Sequence, residues 1–167
     1  MRMLAALLAL SMSANAMAAE TKPPCSSPEH RQFDFWLGEW NVTNKEGKPA
    51  GHQRIVAVQN GCALAEHWTG ARGNTGTSLS SYDPATKTWK QFWTDSDGLV
   101  LAIEGGWDGK AMVMRGQLPN ANGGVDIQRV TWTPNADGTL AQVWESSSDD
   151  GKTWTLAFYG KYRRDGG

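Results

Sequence analysis

From Trp40 onward the chain is a succession of short runs of β-branched and aromatic residues, broken every few positions by Asn, Asp and Gly, and no stretch keeps a helical period. This rhythm constrains the fold more than any other feature. The runs predict strands at 40 to 44, 52 to 59, 62 to 69, 75 to 82, 88 to 94, 99 to 104, 110 to 118, 125 to 133, 139 to 146 and 154 to 163. Between them, segments such as Asn60-Gly61, Asp95-Ser96-Asp97-Gly98, Asp108-Gly109 and Asn135-Ala136-Asp137-Gly138 supply residues that tolerate the left-handed backbone of tight hairpins. Parallel neighbours would need crossovers of about a dozen residues or more, so strands joined this closely form an antiparallel meander. A long meander removes its edges by closing on itself, and the prediction is an all-β, roughly ten-stranded antiparallel barrel.

The N-terminus reads differently. Arg2, the apolar run Leu4-Ala5-Ala6-Leu7-Leu8-Ala9-Leu10 and the small residues around Ala14-Asn15-Ala16-Met17-Ala18 predict a secretory signal peptide over 1 to 18, cleaved after Ala16 or Ala18. Its apolar stretch is shorter than the about 20 residues that span a bilayer. The expected location is therefore periplasmic or secreted, with no membrane association after cleavage. Residues 19 to 27 read as a linker and 28 to 164 as a single domain. Ser27 as cap, Pro28 at the first helical position and Glu29 in the first turn predict a short helix that Gly38 limits. Charge is nearly balanced, 16 basic against 17 acidic residues, which leaves no basic stripe for nucleic acid. In an exported chain the two cysteines, Cys25 and Cys62, predict a disulfide. There is no C-x-x-C or H-x-x-x-H spacing, so no metal site is predicted.

Alternation along the strands sorts side chains onto two faces. In Thr88-Trp89-Lys90-Gln91-Phe92-Trp93-Thr94, Trp89, Gln91 and Trp93 share one face. Leu140, Gln142 and Trp144 share another, and Leu64, Glu66 and Trp68 a third. Nine tryptophans in 167 residues can simply fill a core, but buried Gln and Glu need hydrogen-bond partners, which a cavity with a ligand provides. Aromatic walls with a few placed polar groups describe a small-molecule pocket. The expected ligand-binding residues are Glu66, Trp68, Trp89, Gln91, Trp93, Gln142 and Trp144, and the expected partner is a partly apolar or aromatic small molecule. An alternative is a small barrel enzyme, an isomerase or hydrolase, with Glu66 as acid or base and Glu104 as its partner. A third is a protein-interaction module whose polar interior is only hydrated. His30, His52 and His67 are too scattered to compose a triad or a metal site, and His67 reads as a wall or exposed residue.

Ser147-Ser148-Asp149-Asp150-Gly151-Lys152-Thr153-Trp154 matches the S-x-D-x-G-x-T-W box that recurs in sialidase propellers. A propeller needs repeated blades of about 40 residues, which this chain is too short to supply in the usual number. The box reads instead as a hairpin device, with Trp154 a structural residue.

Gly38-Glu39-Trp40 after a short helix resembles the G-x-W motif that opens the first strand of lipocalins and other calycin barrels. That resemblance implies a lipocalin-like barrel with a basic residue of the last strand, Arg163 or Arg164, packed across Trp40. Phe33 to Val42, Gly61 to Trp68, Tyr82-Asp83-Pro84, Thr131-Trp132-Thr133 and Gln142-Val143-Trp144-Glu145 together resemble a family of exported bacterial proteins of unknown function with such barrels. The nitrobindins are similar and bind haem through a histidine near the C-terminal strand. Phe158-Tyr159-Gly160-Lys161-Tyr162-Arg163-Arg164 has no histidine, and only His67 could substitute, so no cofactor is expected.

Overall fold

The structure, a computed structural model, describes residues 23 to 166, and the signal-peptide reading lies outside them. Ten strands follow one another: β1 Gly38–Thr43, β2 Pro49–Val58, β3 Ala63–Gly70, β4 Thr75–Asp83, β5 Thr88–Asp95, β6 Val100–Trp107, β7 Met112–Pro119, β8 Val125–Pro134, β9 Leu140–Ser147 and β10 Thr155–Arg164. Each pairs antiparallel with its sequence neighbour, and β1 pairs with β10, Trp40 opposite Arg164, to close the barrel. The all-β meander and its closure are as the punctuation predicts.

The expected short N-terminal helix is present as two 3₁₀ turns, Pro28–Arg31 and Asp34–Trp36. Ser27 does not cap a backbone N–H. Its hydroxyl donates to the Glu29 carboxylate at 2.6 Å and lies 2.9 Å from His30 Nδ1. A segment this short gains too few helical hydrogen bonds to hold itself, so packing decides its shape. Phe33 and Trp36, both fully buried, carry that packing. Phe33 stacks on Trp36 at 4.7 Å and meets the edges of Trp89 and Trp132 at 5.6 and 5.2 Å, while Phe35 lies 5.6 Å from Trp107. Trp89 Nε1 donates to the Glu29 carbonyl at 3.2 Å and Trp40 Nε1 to the Trp36 carbonyl at 2.9 Å. These turns stopper one end of the barrel.

The Cys25–Cys62 disulfide holds the stopper down. It ties the segment before the first turn to the β2–β3 connection, and the Arg31 guanidinium donates to the Gly61 carbonyl beside it. At the same end Arg164 resolves the choice between the two C-terminal arginines. Its guanidinium lies 4.4 Å from the centre of the Trp40 ring and donates to the Leu37 carbonyl at 2.9 Å, whereas Arg163 is opposite Asn41. Gly38 explains the first letter of the G-x-W motif. Its φ of 126° is a conformation L side chains rarely adopt, and a Cβ there would overlap Arg164 Nη1.

The connections at the other end leave the barrel open. One of them is the S-x-D-x-G-x-T-W box between β9 and β10. Gly151 N–H donates to Ser147 Oγ at 2.9 Å, Thr153 N–H and Oγ1–H donate to the two Asp149 oxygens at 2.8 and 2.6 Å, and Trp154 Nε1 donates to the Gly151 carbonyl at 3.0 Å. The Thr153 hydroxyl and then its N–H pull the Asp149 carboxyl down to about 2. Trp154 lies beneath Arg129, 3.9 Å from the guanidinium carbon, and Arg129 pairs with Glu145 at 2.8 Å. The side chains of Ser147, Asp149, Thr153 and Trp154 are all engaged in shaping the turn and seating β10 on β9.

Candidate functional site

Inside the open half lies a cavity of about 650 Å³. Register decides its lining. Glu66 is opposite Ser78, Ser78 opposite Trp93 and Trp93 opposite Leu101, so one row around the wall is acid, hydroxyl, indole and alkyl. Gln53, Trp68, Gln91, Val130, Gln142, Trp144, Phe158 and Tyr162 complete the deep lining. Two glycines make the space. A Cβ at Gly51 would sit 2.6 Å from the Trp68 ring, and a Cβ at Gly76 would overlap the Trp93 ring. Both indoles therefore lie flat along the wall, each over a glycine, instead of crossing the lumen.

The polar groups form linked pairs. Ser78 Oγ–H donates to Glu66 Oε2 at 2.5 Å and Gln53 Nε2–H to Glu66 Oε1, while Gln53 Oε1 is buried with no partner. Burial pushes the Glu66 carboxyl up to about 7, against the smaller downward pull of its bonds with Ser78 and Gln53. The Tyr162 hydroxyl donates to Gln142 Oε1, and burial, reinforced by the charge on Glu66, holds its pKa well above the usual tyrosine value. Gln91 Nε2 donates to Ser80 Oγ at 3.0 Å. Trp144 Nε1 donates to Gln128 Oε1 at 2.8 Å, and Gln128 Nε2 to Ser146 Oγ at 2.9 Å, which fixes the plane of the Trp144 ring. The wall thus offers one carboxyl, amide oxygens and broad aromatic faces.

The structure brings together Glu66, Trp68, Gln91, Trp93, Gln142 and Trp144 from the sequence reading. It does not bring Trp89 to them. Trp89 shares their face but sits toward the stoppered end, 1% exposed among Phe33 and Tyr82, and is a core residue. Glu104 is also corrected as a partner for Glu66. It lies on the outer surface opposite Lys90 and Arg115, with the barrel wall between it and the cavity. Leu101 and Ile103 take the inner face of β6, which turns Glu104 outward.

Gln53, Ser78, Ser80, Gln128 and Tyr162 escaped the sequence reading. Gln53, two places before inward Ile55, had the same polar-then-apolar spacing as the residues found. Ser78 and Ser80 are hidden by Leu79, which points outward and is 51% exposed, so apolar-in, polar-out alternation is inverted on β4. His67 is on the outer face, opposite Arg54 and Thr77. A group of possible metal donors, Glu39, His52 and Asp165, meets at the outer closing seam, but its carboxylates also face Arg54 at 3.8 Å and Asn41 at 2.9 Å. The chain matches no protein-family model and no curated protein sequence, so the reading of this cavity rests on its geometry.

Proposed function

We propose that this protein is an exported carrier or sensor, periplasmic or secreted, that holds a small, partly apolar or aromatic molecule inside the barrel. One observation carries this reading: a one-ended cavity of about 650 Å³, within the usual range of ligand pockets, with indole walls and fixed amide and carboxyl groups. A merely hydrated core has no need of Trp68 and Trp93 laid flat over glycines to keep its lumen open. The disulfide is consistent with an extracellular setting. The closed barrel with Arg164 across Trp40 is compatible with the lipocalin-like family that the sequence resembles.

The enzyme reading draws on Glu66, whose carboxyl at about 7 is in the range useful to a general acid or base. It is the weaker of the two, because Glu104, its intended partner, is on the other side of the wall. The carrier reading is tested by tryptophan emission during titration with fatty acids, isoprenoids, aromatic compounds and saccharides. With Trp68, Trp93 and Trp144 in the lining, at least one class should shift or quench the emission saturably. Emission unchanged across the panel would remove the ground for this function.

A further inference from the structure

The deep cavity holds one carboxyl, that of Glu66, with no counter-charge beside it among the described residues. The groups around Glu66 are Ile55 and Gln53 from β2, Leu64 and Trp68 from β3, Ser78 and Ser80 from β4, Gln91 and Trp93 from β5, Leu101 from β6, Gln142 from β9 and Tyr162 from β10. Of these only Tyr162 titrates, and it stays neutral across the physiological range. The basic side chains that touch the cavity, Lys45, Lys48 and Arg72, belong to its mouth, together with Glu46 and Asp95. Asp95 is engaged there by the N–H groups of Asp97 and Leu99.

We propose that the cavity selects a monocationic amine carried on an aromatic or apolar body, its ammonium bonded to Glu66 and its body lying against Trp68, Trp93 and Trp144. The assignment rests on the carrier reading above and names the ligand class. Both Glu66 oxygens accept hydrogen bonds, from Gln53 and Ser78, an arrangement suited to the ionised carboxylate. An ionised carboxylate buried without a cation is costly, and a ligand ammonium removes that cost where a neutral or anionic ligand cannot. The indole faces attract the same charge. A ligand carboxylate in this position would meet a like charge, or force Glu66 to take up a proton.

The pairing also couples binding to pH. With Glu66 half protonated near pH 7, an ammonium draws it into the ionised form and releases protons, so amine affinity should rise about tenfold from pH 6 to pH 8.

The test uses the wild-type protein and isothermal titration with three probes sharing one body: naphthylethylamine, naphthylethanol and naphthylacetate. At pH 8 the amine should bind about tenfold or more tighter than the alcohol, with the acid weakest, and the advantage of amine over alcohol should vanish in Glu66→Gln. The fall in amine affinity between pH 8 and pH 6 is read on the wild type alone and does not depend on the variant. Equal or tighter binding of the acid, an amine advantage that survives in Glu66→Gln, a pH-independent amine affinity, or no binding of any probe would each overturn the assignment. A response elsewhere in the emission panel would then leave the carrier reading standing, whereas a silent panel would end both.

Discussion

Glu66→Gln is expected to make the protein more stable at pH 8 by about 2 to 3 kcal/mol and to change it little at pH 4. The carboxyl is pushed from 4.5 up to about 7 in the folded protein because burial disfavours its charge. A raised folded pKa means that the native state holds the proton more tightly than the unfolded chain. The stability this contributes is complete below about pH 4.5, declines as pH rises to 7, and is gone above it. At 1.36 kcal/mol per unit, the shift is worth about 3 kcal/mol. Glutamine never ionises, so the variant should escape the decline. Its amide also finds partners: the Ser78 hydroxyl can donate to its oxygen, and a turn of the Gln53 amide brings the unpartnered Gln53 oxygen to its nitrogen. Urea unfolding of both proteins at pH 4 to 8 measures the difference. A variant less stable than wild type at pH 8 would show that Glu66 is stabilised as the anion even in the empty protein. Asp83 and Asp149, whose carboxyls are pulled down to about 2 by hydrogen bonds, belong to both proteins and act only at the acid end.

Replacing both cysteines by serine is the larger effect, an expected loss of about 4 kcal/mol from the loop that the Cys25–Cys62 bridge closes across 37 positions. The location makes the prediction more specific than its size. The bridge secures the stopper, where Phe33 and Trp36 cover Trp89 and Trp132, and the cavity opens at the opposite end. The double variant should therefore unfold at lower urea, with a denaturant dependence at least as steep because its unfolded chain is no longer cross-linked, and keep its ligand response wherever it remains folded. Equal stability with and without the bridge would mean that Trp36, Phe33 and the Arg31 bond to Gly61 already anchor the segment by themselves.

Most of the architecture was legible because turn chemistry and strand alternation are local properties. Asn and Gly at the hairpins marked nearly every strand end, and parity put Glu66, Gln91 and Gln142 on the inner face. What parity cannot give is height along the barrel axis. Trp89 and Trp93 lie on one face of one strand, yet Trp89 meets the stopper and Trp93 the cavity, because the N-terminal segment covers only one end. Height depends on strand stagger and on which end the 3₁₀ turns fill, and both are long-range facts. Arg164 was undecided against Arg163 for a related reason: the register of β10 on β1 is set by barrel closure, far from the local pattern. Leu79, 51% exposed on the outer wall opposite Phe92, shows the remaining failure, where an apolar residue does not mark the inner face.

The claim that unites the site is that the lumen is kept open for a molecule. Native mass spectrometry of the protein purified without detergent from the cells that make it tests this most directly. A second species heavier by one small organic molecule of a few hundred daltons, lost on denaturation, is expected beside the disulfide-bonded chain. A spectrum holding only the polypeptide mass, with no adduct regained on mixing the purified protein with the small-molecule extract of those cells, would contradict it.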